Sequence, residues 1–428
     1  MKSITENPSE RSIYIWNITG SMANALISVV VLMLVTRTLN ENETDIFSIA
    51  WSISQLMATI GTFQIRVYQA TDVTGIFRFR QYLIFRFLSI TAMLISSALY
   101  TVIRGYGLYK AVIILIICLS KAVDSLCDVY EGEFQQRNRL DLAGKALTFR
   151  VIVEMIMFAA ALYLTNNLLF AASVFLTASV ISFFCYDLRY RFCVFGREQK
   201  KEKEQDSLFW IFQMFREGLP LFVNAFIMTS ITNTPKMIMD EAIEQGLMNP
   251  GTQTNYNILF MPASVLTLIY IVFRPLLTQM ALDWAEGKVK KYLAVIGKIM
   301  AGLIAIAVVV LAGSALLGIP VLSLIYAVDL SGYRNTLLLI MVGGCFYTLA
   351  AVLDNALVVM RRQYVLVVSY LAAWIYSRAV AGSLIRKWDL MGAAWTYTSA
   401  MLVFFAVTLA IFLWNLFRIN KRKGRRLM

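Results

Sequence analysis

Long apolar runs, broken by short clusters of charge and turn residues, set the pattern of this chain. Twelve runs lie at approximately 13–38, 45–70, 81–103, 108–134, 143–165, 168–193, 210–239, 254–280, 292–318, 335–360, 363–385 and 391–417. Each approaches the roughly 20 mostly apolar residues that a helix needs to cross the hydrocarbon core. They are continuous rather than alternating, which predicts helices and excludes a barrel. The expected fold is all-α: a polytopic integral membrane protein of about twelve transmembrane helices, in two six-helix pseudo-symmetric bundles around a central cavity. The first run is too long for a signal-peptide core and is expected to be retained.

Several runs carry polar stripes. Run 2 spaces Ser52, Gln55, Thr59, Thr62, Arg66 and Gln69 at alternating steps of three and four, one face of a continuous helix. Run 1 has Asn17, Ser21, Asn24 and Ser28; run 7 has Thr229, Thr232, Lys236 and Asp240; run 8 has Thr267, Tyr270 and Arg274. Polar residues in lipid are costly, so these rows predict the walls of a hydrated cavity. Hydrogen bonding between helices is the plainer account for the Ser and Thr positions. Run 4 has its own row, Lys121, Asp124, Asp128, Glu131 and Gln135, with Arg150 and Glu154 on run 5. A salt-bridge network within each half explains it more simply than a coupling carboxylate, but Asp124, Asp128 and Glu154 remain the ion-coupling candidates.

Composition fits this picture. The sequence has 428 residues, 59% hydrophobic and 15% charged, against about half apolar and a quarter charged in ordinary globular domains. Histidine is absent, which excludes imidazole metal ligands, proton relays and Ser–His or Cys–His nucleophiles. The five cysteines form no CxxC pair. No metal, cofactor or catalytic residue is expected, and the protein is not expected to be an enzyme.

The formal net charge of +13 suggests nucleic acid only until the basic residues are located. With both termini cytoplasmic, 24 Lys/Arg fall on inner segments and seven on outer ones, a strong positive-inside bias. The remaining basic residues lie inside helices or at their edges. Nucleic acid is therefore not an expected partner. The hydrophilic stretch from Phe195 to Ser207 gives the expected organisation: an N-terminal bundle over 1–194, a charged cytoplasmic linker over 195–208, a C-terminal bundle over 209–417 and a basic tail over 418–428. No loop is large enough for a nucleotide-binding domain and no GxxxxGK occurs, which argues against an ATP-driven pump.

The halves align on Arg37 with Lys236, Arg66 with Arg274, and Asp128 with Asp354, each half keeping the same orientation. Arg37 and Lys236 read as ending runs 1 and 7 toward the outside, Arg66 and Arg274 as lying toward the cytoplasm. Such donors suit a phosphate or pyrophosphate group, while Arg37 fits headgroup snorkelling equally well. Pro220, Pro235, Pro262 and Pro275 all fall in runs 7 and 8, which favours bending there.

The stretches TRTLNENETDIFSIAW (36–51), GTFQIRVYQATDV (61–73), FQQRNRLDLAGKALTFR (134–150), TNTPKMIMD (232–240) and YNILFMPASVLTLIYIVFRPLL (256–277) resemble those of polysaccharide-transporter flippases. These are the Wzx-like members of the multidrug/oligosaccharidyl-lipid/polysaccharide exporter superfamily. The resemblance covers most of the chain. It implies a flippase that moves an undecaprenyl-pyrophosphate-linked oligosaccharide from the inner to the outer leaflet of the bacterial cytoplasmic membrane, for O-antigen or capsule synthesis. The implied substrate-binding residues are Arg66, Arg274, Lys236 and Arg37, supported by Gln69 and Gln55. Implied partners are the lipid-linked glycan, membrane lipid, and a polysaccharide polymerase or assembly complex. The alternative within the superfamily is a cation-coupled multidrug or small-molecule exporter. A membrane glycan polymerase is disfavoured, because no loop has the size of an extracytoplasmic domain.

Overall fold

The computed structural model describes residues 8–72, 75–196, 209–269 and 274–424. These contain helices and turns and no β-strand. Residues 197–208 of the expected linker and 425–428 of the basic tail lie outside them.

The first run becomes α1 (Glu10–Thr38), started by Ser9, whose hydroxyl accepts from the Ser12 backbone N–H. The second becomes α2 (Glu41–Thr62), started by Asn40 in the same way, and the short α3 (Ile65–Thr71). Then come α4 (Phe79–Arg104), α5 (Leu108–Gln136), α6 (Leu140–Thr165) and α7 (Leu168–Ser182). The last continues through a π-helical turn, Phe183–Leu188, into α8 (Arg189–Phe195). Side-chain oxygens at these helix starts satisfy backbone donors that have no partner within the helix.

In the second half, α9 (Phe209–Glu244) is unbroken through Pro220 and Pro235, while α10 (Thr252–Ile269) holds Pro262 and α11 (Arg274–Ala285) starts beside Pro275. The bend expected in run 7 is thus not a helix break. Next are α12 (Val289–Gly313), α13 (Ile319–Tyr326), α14 (Arg334–Val359) and α15 (Leu366–Gly424). In α15 two helices meet at Trp388 and Asp389, whose backbone is not helical, so runs 11 and 12 are separate as expected.

Seven of the elements among the described residues are long and apolar enough to cross a membrane, and the bent pair α2–α3 makes an eighth. Large apolar residues face outward, Val102 at 76% and Leu164 at 83% exposure, as lipid requires. The molecule is a polytopic, all-helical membrane protein.

Two compact units divide the chain, Met1–Thr229 and Ser230–Met428. The boundary falls inside α9, later than the charged stretch expected to separate the bundles. The first half of α9 belongs to unit 1 because its aromatic side chains pack there: Phe222 stacks on Phe63 with ring centroids 4.5 Å apart, and Phe215 lies 5.3 Å from the same ring.

Within unit 1, α1 and α6 cross so closely that no side chain fits at the contact. A Cβ added to Gly144 falls 2.2 Å from the Trp16 carbonyl oxygen, and Gly20 sits against Gly144 itself. Within unit 2, the Tyr292 hydroxyl of α12 donates to the Ala356 carbonyl of α14 (2.9 Å), and Thr398 of α15 donates to the Leu339 carbonyl of α14 (2.7 Å). Such bonds hold neighbouring membrane helices together, each contributing about 0.6–2 kcal/mol.

Candidate functional site

Helix 2 of the sequence pattern is interrupted. Phe63 and Gln64, two successive non-glycine residues, take left-handed backbone conformations (φ 45° and 53°), and α3 leaves α2 at 42°. Each such residue costs about 1–3 kcal/mol and persists only when its surroundings hold it. The surroundings here are specific. The Gly61 carbonyl, released by the break, accepts from the Arg86 guanidinium (2.7 Å) and the Ser89 hydroxyl (2.6 Å), while the Phe63 ring lodges among Phe85, Phe215 and Phe222.

The break overturns the single-face stripe expected of run 2. Ser52, Thr59 and Thr62 return their hydroxyls to carbonyls of their own helix, and Gln55 is exposed. Arg66 and Gln69 instead turn toward α5. Gln69 is fully buried and donates to the Val129 carbonyl (3.2 Å). Arg66 bridges Asp128 (3.2 Å) and Glu131 (2.7 Å).

These contacts open onto a buried ion network. Arg86, with no exposed surface, pairs with Asp128 at 2.7 Å. Arg150 contacts Glu131 (2.9 Å), Asp187 (3.1 Å) and Asp124 (3.6 Å), and Lys121 pairs with Asp124 at 2.9 Å while standing 4.7 Å over the Trp51 ring. Four cations (Arg66, Arg86, Lys121, Arg150) meet four carboxylates (Asp124, Asp128, Glu131, Asp187). Mutual neutralisation is what makes such a cluster tolerable in a low-dielectric interior. It accounts for the run 4 row as structure. Arg66 is therefore spent on protein carboxylates in this conformation.

Glu154 stands apart. It is buried and accepts from the Ser179 hydroxyl (2.7 Å), with no basic side chain at ion-pair distance among the described residues. Glu154→Gln keeps an acceptor for Ser179. It is expected to leave the melting temperature of the purified protein within about 2 °C of wild type. A drop of many degrees overturns the reading of Glu154 as outside the network.

Sequence reasoning missed Arg86 and Asp187 as partners. An arginine six residues into run 3 needed a buried carboxylate, and that was the available signal. Asp187 gave none, because it lies in the π-helical turn, which shifts the helical phase that spacing relies on.

Arg37 is exposed in the last turn of α1, where it complements the helix dipole. Arg274 is the first residue of α11, and its side chain lies outside the described residues. Lys236 was expected to end its helix. Instead α9 runs on to Glu244, which puts Lys236 two turns inside. Its ammonium lies 4.9 Å over the Phe260 ring of α10 and makes no ion pair among the described residues. Asp354, aligned with Asp128, accepts from the Tyr370 hydroxyl (3.2 Å) instead of from arginines. Arg66 spends its charge on carboxylates within unit 1; Lys236, within unit 2, has no such partner among the described residues.

Among solved structures the chain is similar to an inward-facing multidrug resistance transporter of the MATE family, in the MOP superfamily. The TM-score is 0.71 at 14% identity, over 94% of this chain and 95% of that one. The fold is that of the MOP-superfamily transporters. A MOP-superfamily transporter from Pyrococcus furiosus, described as having a binding pocket of reverse polarity, matches with TM-score 0.59 and 14% identity over 98% of both chains. The lipid II flippase MurJ, in an inward closed conformation, matches with TM-score 0.63 and 12% identity, over 92% of this chain and 87% of that one. No protein-family model and no curated protein matches the sequence. The MOP fold thus rests on structure, since identities this low leave little for sequence comparison to detect.

Proposed function

We propose that the chain is a flippase for a lipid-linked oligosaccharide in the bacterial cytoplasmic membrane. It carries an undecaprenyl-pyrophosphate-linked repeat unit from the inner to the outer leaflet by alternating access, for surface polysaccharide synthesis, with both termini cytoplasmic. The observation that carries this reading is Lys236, a part-buried ammonium inside a membrane helix without a carboxylate partner. An uncompensated cation in that setting is costly and suits an anionic head group. The likeness to a lipid II flippase of the same fold supports it, as does the inner-face excess of basic residues. Arg66, in unit 1, is a further candidate donor for an anionic group when it leaves Asp128 and Glu131; Arg274, Arg37, Gln69 and Gln55 are candidate donors each within its own unit. Outward movement of negative charge gains about 2.3 kcal/mol per charge per 100 mV from an inside-negative potential. A dianionic head therefore crosses with a substantial electrical drive.

Deletion is expected to leave the lipid-linked repeat unit on the cytoplasmic leaflet, where extraction and mass spectrometry identify it. Complementation with Lys236→Gln should lose surface glycan about tenfold or more, the scale of one charge-assisted hydrogen bond, and Lys236→Arg should keep most of it. Full surface glycan with the glutamine variant sinks the role of Lys236. No accumulated lipid-linked intermediate in the deletion strain sinks the flippase reading.

Glu154 favours a second reading, a cation-coupled exporter of the same fold, since a buried carboxylate without a basic partner can take up a proton or a cation. Export that follows an imposed pH or sodium gradient and is lost in Glu154→Gln, with surface glycan normal throughout, selects that reading.

A further inference from the structure

In unit 2, one face of α10 carries polar groups that the fold leaves unused. Gln253 is fully buried, yet neither its amide nitrogen nor its amide oxygen has a protein partner. Tyr256 is buried to the same degree, and its hydroxyl is likewise unengaged. Buried polar groups in folded proteins are nearly always hydrogen-bonded, so two such residues a turn apart call for an explanation. Their spacing supplies one. Residues 253, 256 and 260 fall on one side of a helix, spanning roughly 10 Å at 1.5 Å per residue. At the far end of that strip the Phe260 ring meets the Lys236 ammonium at 4.9 Å and the Tyr397 ring at 4.9 Å, edge to face. Tyr256 lies next to the same ring, with centroids 6.1 Å apart.

An amide offering both donor and acceptor, a phenol, an aromatic ring and an ammonium in sequence match a sugar carried on a phosphate. Sugars present hydroxyl and acetamido groups to amides and phenols and an apolar face to aromatic rings, and the phosphate takes the cation.

We propose that this face of α10, closed off in this conformation, becomes a sugar subsite when the transport cycle opens it. Gln253 and Tyr256 exchange hydrogen bonds with the hydroxyl or acetamido groups of the hexose next to the phosphate. Phe260 lies against its ring, and Lys236 holds the phosphate. The inference rests on the lipid-linked reading of the function and assigns its sugar selectivity to unit 2. It also fixes a sign. Groups idle in the free protein contribute affinity and not stability, so isosteric removal weakens binding without weakening the fold.

The test uses purified full-length protein in detergent, calorimetric titration, and two kinds of probe: farnesyl pyrophosphate, and farnesyl pyrophosphate bearing glucose, galactose or N-acetylglucosamine. Wild type is expected to bind at least one glycosylated probe about tenfold tighter than the bare one. The double variant Gln253→Met with Tyr256→Phe should lose that preference while keeping its affinity for the bare probe. Its melting temperature should equal or exceed that of wild type. Lys236→Gln should weaken all probes alike. A double variant that keeps the full sugar preference overturns the subsite. So does one that melts lower and loses affinity for every probe by the same factor, which marks a structural role. Wild type binding bare and glycosylated probes equally also overturns the subsite, whereas wild type binding none of them overturns the lipid-linked reading itself.

Discussion

Replacing Arg150 by methionine is expected to destabilise the protein by about 3–5 kcal/mol, the cost of removing one partner from a buried ion pair. Arg150 is 3% exposed and faces Glu131, Asp187 and Asp124. Methionine fills the space but leaves those carboxylates with too little positive charge, and Glu131 and Asp187 are buried away from water. Detergent-solubilised yield and melting temperature are the measurements. The effect should come from charge imbalance rather than packing. Pairing Arg150→Met with Asp187→Asn, which restores the balance, should recover more than half of the loss. A single variant that melts like wild type overturns the network as a determinant of stability. A double variant that is as unstable as the single one assigns the loss to packing.

The second large effect is expected at the crossing of α1 and α6. Gly144→Ala places a methyl group 2.2 Å from the Trp16 carbonyl oxygen and 2.4 Å from its carbon. Both are backbone atoms of a helix, so no flexible side chain can yield, and the helices must separate. The cost should exceed the about 1–3 kcal/mol usual for overpacking. Gly20→Ala meets its nearest atom at 2.9 Å and should be milder. Gly297, with nothing within 4 Å of its added Cβ, supplies the control; there alanine should be neutral or stabilising, by up to about 1 kcal/mol. Thermal unfolding of the three variants checks the order. Equal melting temperatures for Gly144→Ala and Gly297→Ala overturn the close crossing.

How far the sequence was legible depended on whether helical phase was preserved. On α5 it was: the 3-4 spacing of Lys121, Asp124, Asp128 and Glu131 holds through an unbroken helix, and all four meet charged partners. On run 2 it was not. The change of direction occurs at Phe63 and Gln64, neither of which is Gly or Pro, the usual breakers. What holds that turn, namely Arg86, Ser89 and three phenylalanines, comes from residues 85–222, and no local pattern reports it. The depth of Lys236 was misjudged for a different reason. Hydropathy falls at Asp240, Glu241 and Glu244, yet the helix continues through all three. Apolar length measures what lipid tolerates, and a helix that packs against protein can outrun it. The all-helical membrane fold was legible from the run count; the saturation of Arg66 was not, because its partners lie 62 and 65 residues away.

The balanced network has a consequence for how the protein is made. Arg86 leaves the ribosome 42 residues before Asp128, and Arg150 precedes Asp187 by 37. Each charge alone in the middle of a bilayer costs about 2.5–3.5 kcal/mol on insertion scales. The four cations on α3, α4, α5 and α6 therefore lack their fourth carboxylate until the π-helical turn that carries Asp187 has been synthesised. Release from the insertion machinery is thus expected to be a collective event for runs 2 to 6, completed only when the chain has passed residue 187.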